Sequence, residues 1–89
     1  MRLDKYLQAT GLVPRRTKAQ QACDGGLVKL DGKRAKPSAE VRVGQQITLS
    51  LGMRVATYEV LAVPERAVPK GDREKYRRLI DEERAEFDD

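Results

Sequence analysis

The sequence predicts an α+β domain, built in the order two short helices, four short strands and a closing helix. Three observations predict it. Apolar residues recur at helical spacing up to Gly11, and again between Pro14 and Gly25. They alternate at strand spacing from Leu27 to Val63, with turn residues between the runs. Helical spacing returns after Pro69. Helices and strands that segregate along the chain in this way imply an α+β layer rather than a wound parallel sheet.

Each element has a local cause. Leu3, Tyr6, Leu7 and Thr10 follow the i, i+3, i+4 rule, so residues 2–9 read as a short amphipathic helix that Gly11 stops. Pro14 suits a helix start and Gly25–Gly26 a helix stop, giving a second helix over about 15–24. Its apolar face, Ala19, Ala22 and Cys23, is narrow and flat, which suits close packing on the first helix. In "LVKLDGKRA" Val28 and Leu30 share a face, and Asp31–Gly32 signals a hairpin turn. Pro37–Ser38 breaks that run. Val41 and Val43 precede a turn at Gly44, and Ile47, Leu49 and Leu51 form the face of the next strand. "MRVATYEVLAV" is the most strand-like stretch, ended by Pro64 and Pro69. Residues 70–87 then read as a helix with Tyr76, Leu79, Ile80 and Phe87 on one stripe. Domain organisation is expected to be 1–63 for the two-helix and sheet unit, with 64–89 as a loop and helix packed on it or extending from it.

Composition narrows the chemistry. In 89 residues there is no histidine and one cysteine, which excludes His-ligated zinc, His-based acid–base catalysis and an internal disulfide. Cys23 lacks a histidine partner and sits beside Ala19 and Ala22, so it reads as a packing residue. Walker and Rossmann glycine spacings are absent. The carboxylates Asp81, Glu82, Glu83 and Glu86 read as a solvated helix face. No catalytic residue, metal site or cofactor is expected. No apolar run is long enough to span a bilayer, and "MRLDKYL" lacks the features of a secretory signal, so a cytoplasmic protein without a membrane partner is expected.

Charge points to a partner. Nine basic residues up to Lys36 (Arg2, Lys5, Arg15, Arg16, Lys18, Lys29, Lys33, Arg34 and Lys36) face only Asp4, Asp24 and Asp31. That segment carries +6, against +4 for the whole chain. Such concentration implies a polyanion. Arg15 and Arg16 are placed in the first turn of the second helix, where the helix dipole makes a cation unfavourable by about 0.3–1 kcal/mol. A bound phosphate would reverse that sign, because helix N–H groups and guanidinium forks both donate to it. With three Tyr and one Phe, phosphate and shape readout should dominate over stacking. Tyr6 and Tyr58 read as core, and Tyr76, beside Lys75, Arg77 and Arg78, as the one aromatic candidate for RNA contact.

The ordered set "RLDKYL", "GLVPRRTKA", "GGLVKLDGKRAKPS" and "VRVGQQI" resembles the S4 RNA-binding domain over residues 2–50. Arg2, Leu3, Asp4, Arg16, Thr17, Ala19, Gly26, Val28, Gly32, Pro37, Ser38, Gly44 and Ile47 fall where that family's pattern has them. Asp31, Leu27 and Gln45 depart from it, standing where Asn, Arg and Asp are usual. Within the family, the short chain is most similar to the small stand-alone bacterial ribosome quality-control factors and the related ribosome-associated heat-shock protein. The resemblance implies an αL-like RNA-binding fold and a non-enzymatic, monomeric factor on obstructed large ribosomal subunits. Its partners would be large-subunit rRNA and peptidyl-tRNA, with a tail-elongating quality-control factor as a further candidate. Expected RNA-binding residues are Arg2, Lys5, Arg15, Arg16, Thr17, Lys18, Lys33, Arg34 and Lys36. Asp4 either orients a neighbouring arginine or simply favours its own helix N-terminus. A second reading is an RNA-binding accessory subunit that delivers RNA to an rRNA- or tRNA-modifying enzyme. A third is an adaptor that docks a partner through its closing helix.

Overall fold

The structure is a computed structural model and describes residues 1–84. Helix α1 spans Leu3–Ala9 and α2 spans Arg16–Asp24. The strands are β1 Val28–Leu30, β2 Lys33–Arg34, β3 Gln46–Leu51, β4 Arg54–Val60 and β5 Arg77–Arg84. They form one antiparallel sheet in the order β2-β1-β3-β4-β5, and a 3-10 helix, Lys70–Lys75, leads into β5.

Both helices lay their apolar faces on one side of the sheet. Leu3, Tyr6 and Leu7 from α1 and Ala19, Ala22 and Cys23 from α2 are buried with Val28, Ile47, Leu49 and Val60 from the strands. The strand alternation read from the sequence places Ile47 and Leu49 inward, with Thr48 and Ser50 only partly buried. Asp31 and Gly32, at φ 51 and 80, make the left-handed pair that a two-residue hairpin turn needs. The Asp31 carboxylate also accepts the Gln46 N–H at 2.9 Å, which pins the register between hairpin and β3. Val41 is buried, whereas Val43 is 65% exposed and Glu40 makes only a single bridge, to Arg2.

Two expectations are corrected. Pro14 does not open α2: it lies outside the helix, Arg15 is the extended N-cap residue at φ −105, and Arg16 is the first helical residue. The closing helix is absent from the described residues; residues 77–84 are strand β5, and Phe87 and Glu86 lie outside the described residues. The reason is tertiary. Without β5, the seven-residue β4 would present an open edge of unpaired backbone groups, a stronger demand than the modest helix preference of an Arg- and Glu-rich segment. Cross-strand pairs complement the ladder: Arg78 with Glu59, Arg54 with Glu82 at 2.6 Å, and Arg77 over the Tyr58 ring at 5.5 Å. A bulge interrupts the pairing at Thr57/Tyr58.

The segment before β5 is tied to the end of α1. The Tyr6 hydroxyl donates to the Tyr76 carbonyl at 2.8 Å, and Arg77 Nε donates to the Thr10 carbonyl at 3.1 Å. Gly11, at φ +75, lies so close to Arg73 that a Cβ there would stand 2.5 Å from its guanidinium. Burial pushes the Tyr6 phenol up to about 12 despite the nearby positive charge of Arg77. Tyr6→Phe should therefore destabilise the protein by about 1 kcal/mol in urea titrations. The Tyr76 carbonyl keeps Leu61 N–H as a donor, so no acceptor is orphaned. The native phenol is protonated more tightly than an unfolded one. Its contribution is thus complete below the ordinary value of 10.0, falls as pH rises toward about 12, and should vanish from the alkaline profile of the Phe variant.

Candidate nucleic-acid interface

The interface is organised around a buried carboxylate. Asp4 lies in the first turn of α1 and is 0% exposed. Arg2, one residue before α1, grips it with both prongs, Nε on Oδ1 at 3.2 Å and Nη2 on Oδ2 at 3.3 Å. Arg16 Nε reaches Oδ2 at 3.3 Å and Gln20 Nε2 reaches it at 3.0 Å. The Lys5 backbone N–H donates to Oδ1 at 2.8 Å. Five N–H groups thus fill the roughly four lone-pair sites of one carboxylate.

The local sequence dictates this arrangement. Arg16 and Gln20 are four apart, so they share one face of α2 and meet Asp4 together. Ala19, Ala22 and Cys23 let α2 approach α1 closely enough for the reach. The Leu3 and Asp4 N–H groups at the start of α1 are satisfied by the carbonyls of Ala39 and Pro37, at 2.8 and 3.1 Å. Burial pushes the Asp4 carboxyl up, but the hydrogen bonds from Gln20, Arg16 and the Lys5 amide, with the Arg16 charge, outweigh it and hold the group below its ordinary value. Asp4 is therefore an anion at neutral pH with no lone pair to spare.

This answers the electrostatic question posed by Arg16. The anion that offsets a cation at the start of α2 is internal. Two guanidiniums share one negative charge, leaving a net positive site at the surface, where the Arg2 and Arg16 side chains are 51% and 41% exposed. Gln20 was not among the residues expected from the sequence; its spacing from Arg16 was the available signal.

Three of the other expected residues, Lys5, Arg34 and Lys36, line two hollows that share Arg2. One is lined by Arg2, Lys5 and Arg16 with Val63, Pro64 and Glu65. The second is lined by Arg2, Arg34 and Lys36, among others. Arg15, Thr17, Lys18 and Lys33 are exposed but line neither. Tyr76 is partly buried, and its backbone carbonyl accepts from the Tyr6 hydroxyl and the Leu61 N–H. Cys23 is 1% exposed, and burial, with the charges of Asp4 and Asp24, pushes its thiol up to about 11, the protonated state of a packing residue. Among the described residues no group of three or more acidic, Cys or His side chains is placed to hold a metal, and no helix is long and apolar enough to cross a membrane.

Fold and site together define a small α+β module with a pinned basic rim, a class suited to polyanions. Residues 1–47 match the model of the S4 domain, more than half of the chain, and the protein belongs to that family. A Helicobacter pylori (strain J99) protein named RQC P-site tRNA stabilizing factor is 43% identical over 77 residues, covering 85% of this chain and 92% of its own. A Listeria monocytogenes protein of the same name is 34% identical over 86 residues, covering 97% and 92%. The solved trimeric structure of Vibrio cholerae Heat Shock Protein 15 superposes with a TM-score of 0.84 at 32% identity, covering 90% of this chain and 81% of that one. The motif resemblance and these relatives agree on the family and on its small stand-alone members.

Asp4→Asn should keep the shape but lose the charge that Arg2 and Arg16 share, lowering stability at pH 7 by about 1–3 kcal/mol. The wild-type contribution is present above the unfolded carboxylate pKa of about 3.9 and is lost as pH falls through the lower native value. Urea titrations at pH 7 and pH 3 should therefore show a larger gap between the two proteins at pH 7 than at pH 3.

Proposed function

We propose that this protein is a non-enzymatic RNA-binding factor of the bacterial cytoplasm. It associates with obstructed large ribosomal subunits carrying peptidyl-tRNA, contacts rRNA and the P-site tRNA, and supports C-terminal tailing of stalled nascent chains alongside a tail-elongating quality-control factor. One structural observation carries the reading: Arg2, just before α1, and Arg16, the first residue of α2, are both fixed on the saturated carboxylate of Asp4 while their side chains stay about half-exposed. Guanidiniums held in this way present paired N–H donors to phosphate oxygens with little further ordering. The names and coverage of the relatives, stabilizing factors of the P-site tRNA, support the ribosomal assignment.

Roles follow from placement. Arg2 and Arg16 contact phosphate directly, with Lys5 beside them in the same hollow. Asp4 orients both arginines and touches no RNA. Arg15, Thr17, Lys18 and Lys33 supply nearby charge and hydrogen bonds without a fixed geometry, while Arg34 and Lys36 extend the basic rim along the hairpin.

Arg16→Ala should weaken binding to structured RNA and reduce the slope of log affinity against log salt by about 0.7–0.9 for the lost phosphate contact. It should also destabilise the fold slightly, because a buried carboxylate loses a donor. Arg15→Ala should change affinity less, because Arg15 is exposed and outside the Asp4 cluster. Filter binding across a salt series reads both. Sedimentation of cell extract after induced stalling tests the ribosomal half: the protein should run with free large subunits, and its absence there overturns the assignment.

A further inference from the structure

We propose that the second hollow, of about 480 Å3, receives a single extruded nucleotide of the bound RNA and selects a base that offers two adjacent N–H donors, guanine above all. The proposal rests on the RNA-binding reading and deepens it. It goes beyond phosphate and shape readout by placing a base-reading site between the end of α2, strand β2 and the turn after it.

Size and lining fit one nucleotide. The volume lies within the range of small-ligand sites, about 300–1,000 Å3. Ala35 and Pro37 give apolar wall, while Arg2, Arg34 and Lys36 give positive charge for the phosphate flanking the base. Arg2 is shared with the Asp4 cluster, so a strand whose phosphate is held at Arg2 has its neighbouring nucleotide at the mouth of this hollow. The Pro37 carbonyl, which accepts the Asp4 N–H at 3.1 Å, joins the wall rigidly to that cluster.

An aromatic platform is missing, yet a planar one is present. Arg34 donates through Nη2 to the Asp24 carbonyl at the end of α2. Its guanidinium also lies against Gly26, where a Cβ would stand 3.5 Å from Cζ and Nε. Gly26 has φ +76, so backbone conformation and close approach both favour glycine there. A guanidinium held on one side by a carbonyl and flanked by bare backbone is a fixed plane, and such planes stack unpaired RNA bases. Lysine has the charge but not the plane.

We assign specificity to Asp24, the acidic residue in the lining. A carboxylate only accepts. Guanine presents its ring N–H and exocyclic amine side by side and matches both oxygens. Uracil presents one N–H between two carbonyls, which the carboxylate repels.

The test uses the full-length protein and three RNA hairpins: fully paired, with one bulged G, and with one bulged U. The G-bulge hairpin should bind about tenfold more tightly than the U-bulge hairpin, within the discrimination expected of a bidentate contact. Asp24→Asn should bring that ratio within about twofold. Arg34→Lys should weaken binding of the G-bulge hairpin by a clearly larger factor than it weakens the paired hairpin, because the charge is kept and the plane is lost. Asp24 and Arg34 are both exposed, so both variants are expected to fold. Equal affinity for G and U in the wild type, or a ratio untouched by Asp24→Asn, overturns the pocket. In either case, salt-dependent binding to the paired hairpin shows that the phosphate reading still stands. If the wild type binds none of the hairpins, both readings fall.

Discussion

One buried carboxylate sets the geometry of the candidate interface. Asp4 has no access to water, so its charge is tolerable only because the side chains of Arg2, Arg16 and Gln20 and a backbone N–H of α1 surround it. The same donors that solvate Asp4 are the ones that define the rim. α1 and α2 can close on each other only where Arg16 and Gln20 meet the carboxylate, which makes helix packing and arginine placement one constraint. A hydrophobic contact at this point would pack the helices as well, but it would leave Arg2 and Arg16 to solvent with no preferred direction.

The opposite end is organised by hydrogen bonds to backbone rather than by charge. Tyr6, fully buried, reaches the Tyr76 carbonyl, and Arg77 caps the Thr10 carbonyl beyond α1. α1 is seven residues long, too short to hold together in isolation, so its stability comes from packing and from anchors at both ends. The loop at Pro37 and Ala39 satisfies its first N–H groups, and Val68 N–H, in the segment leading into β5, donates to its last carbonyl, that of Ala9. The closing part of the chain therefore buttresses the helix that carries Asp4.

What was legible in the sequence follows from how local each cause is. The Asp31–Gly32 turn, the alternation of Ile47 and Leu49, and the flat Ala19–Ala22–Cys23 face depend on neighbours a few residues away, and all appear where the pattern puts them. β5 depends on an unpaired edge twenty residues earlier, and its composition alone favours a helix. Leu79 and Ile80 looked like part of a helical stripe because Tyr76 precedes them at the right spacing, yet they are 44% and 41% exposed. The expected start of the second helix, at about residue 15, came one residue early for a similar reason: Pro14 suits a helix start, but Arg15 is extended and the helix begins at Arg16. The basic residues were legible as a set, whereas the division into pinned and unpinned arginines required knowing that Asp4 is buried.

That division matters more than the number of charges. Immobilising a long side chain on binding costs about 0.5–1.5 kcal/mol, a cost already met for Arg2 and Arg16 in the free protein and still outstanding for Arg15 and Lys18. Exposed mobile charges act mainly through a field that salt screens within about 8–10 Å. Pinned guanidiniums add direction, because their free N–H groups suit only some arrangements of phosphate. A small domain has too little interior to carve a deep site, so it gains selectivity by fixing a few surface groups. In the proposed site that fixing takes one aspartate, one glutamine and two arginines, all among the first twenty residues.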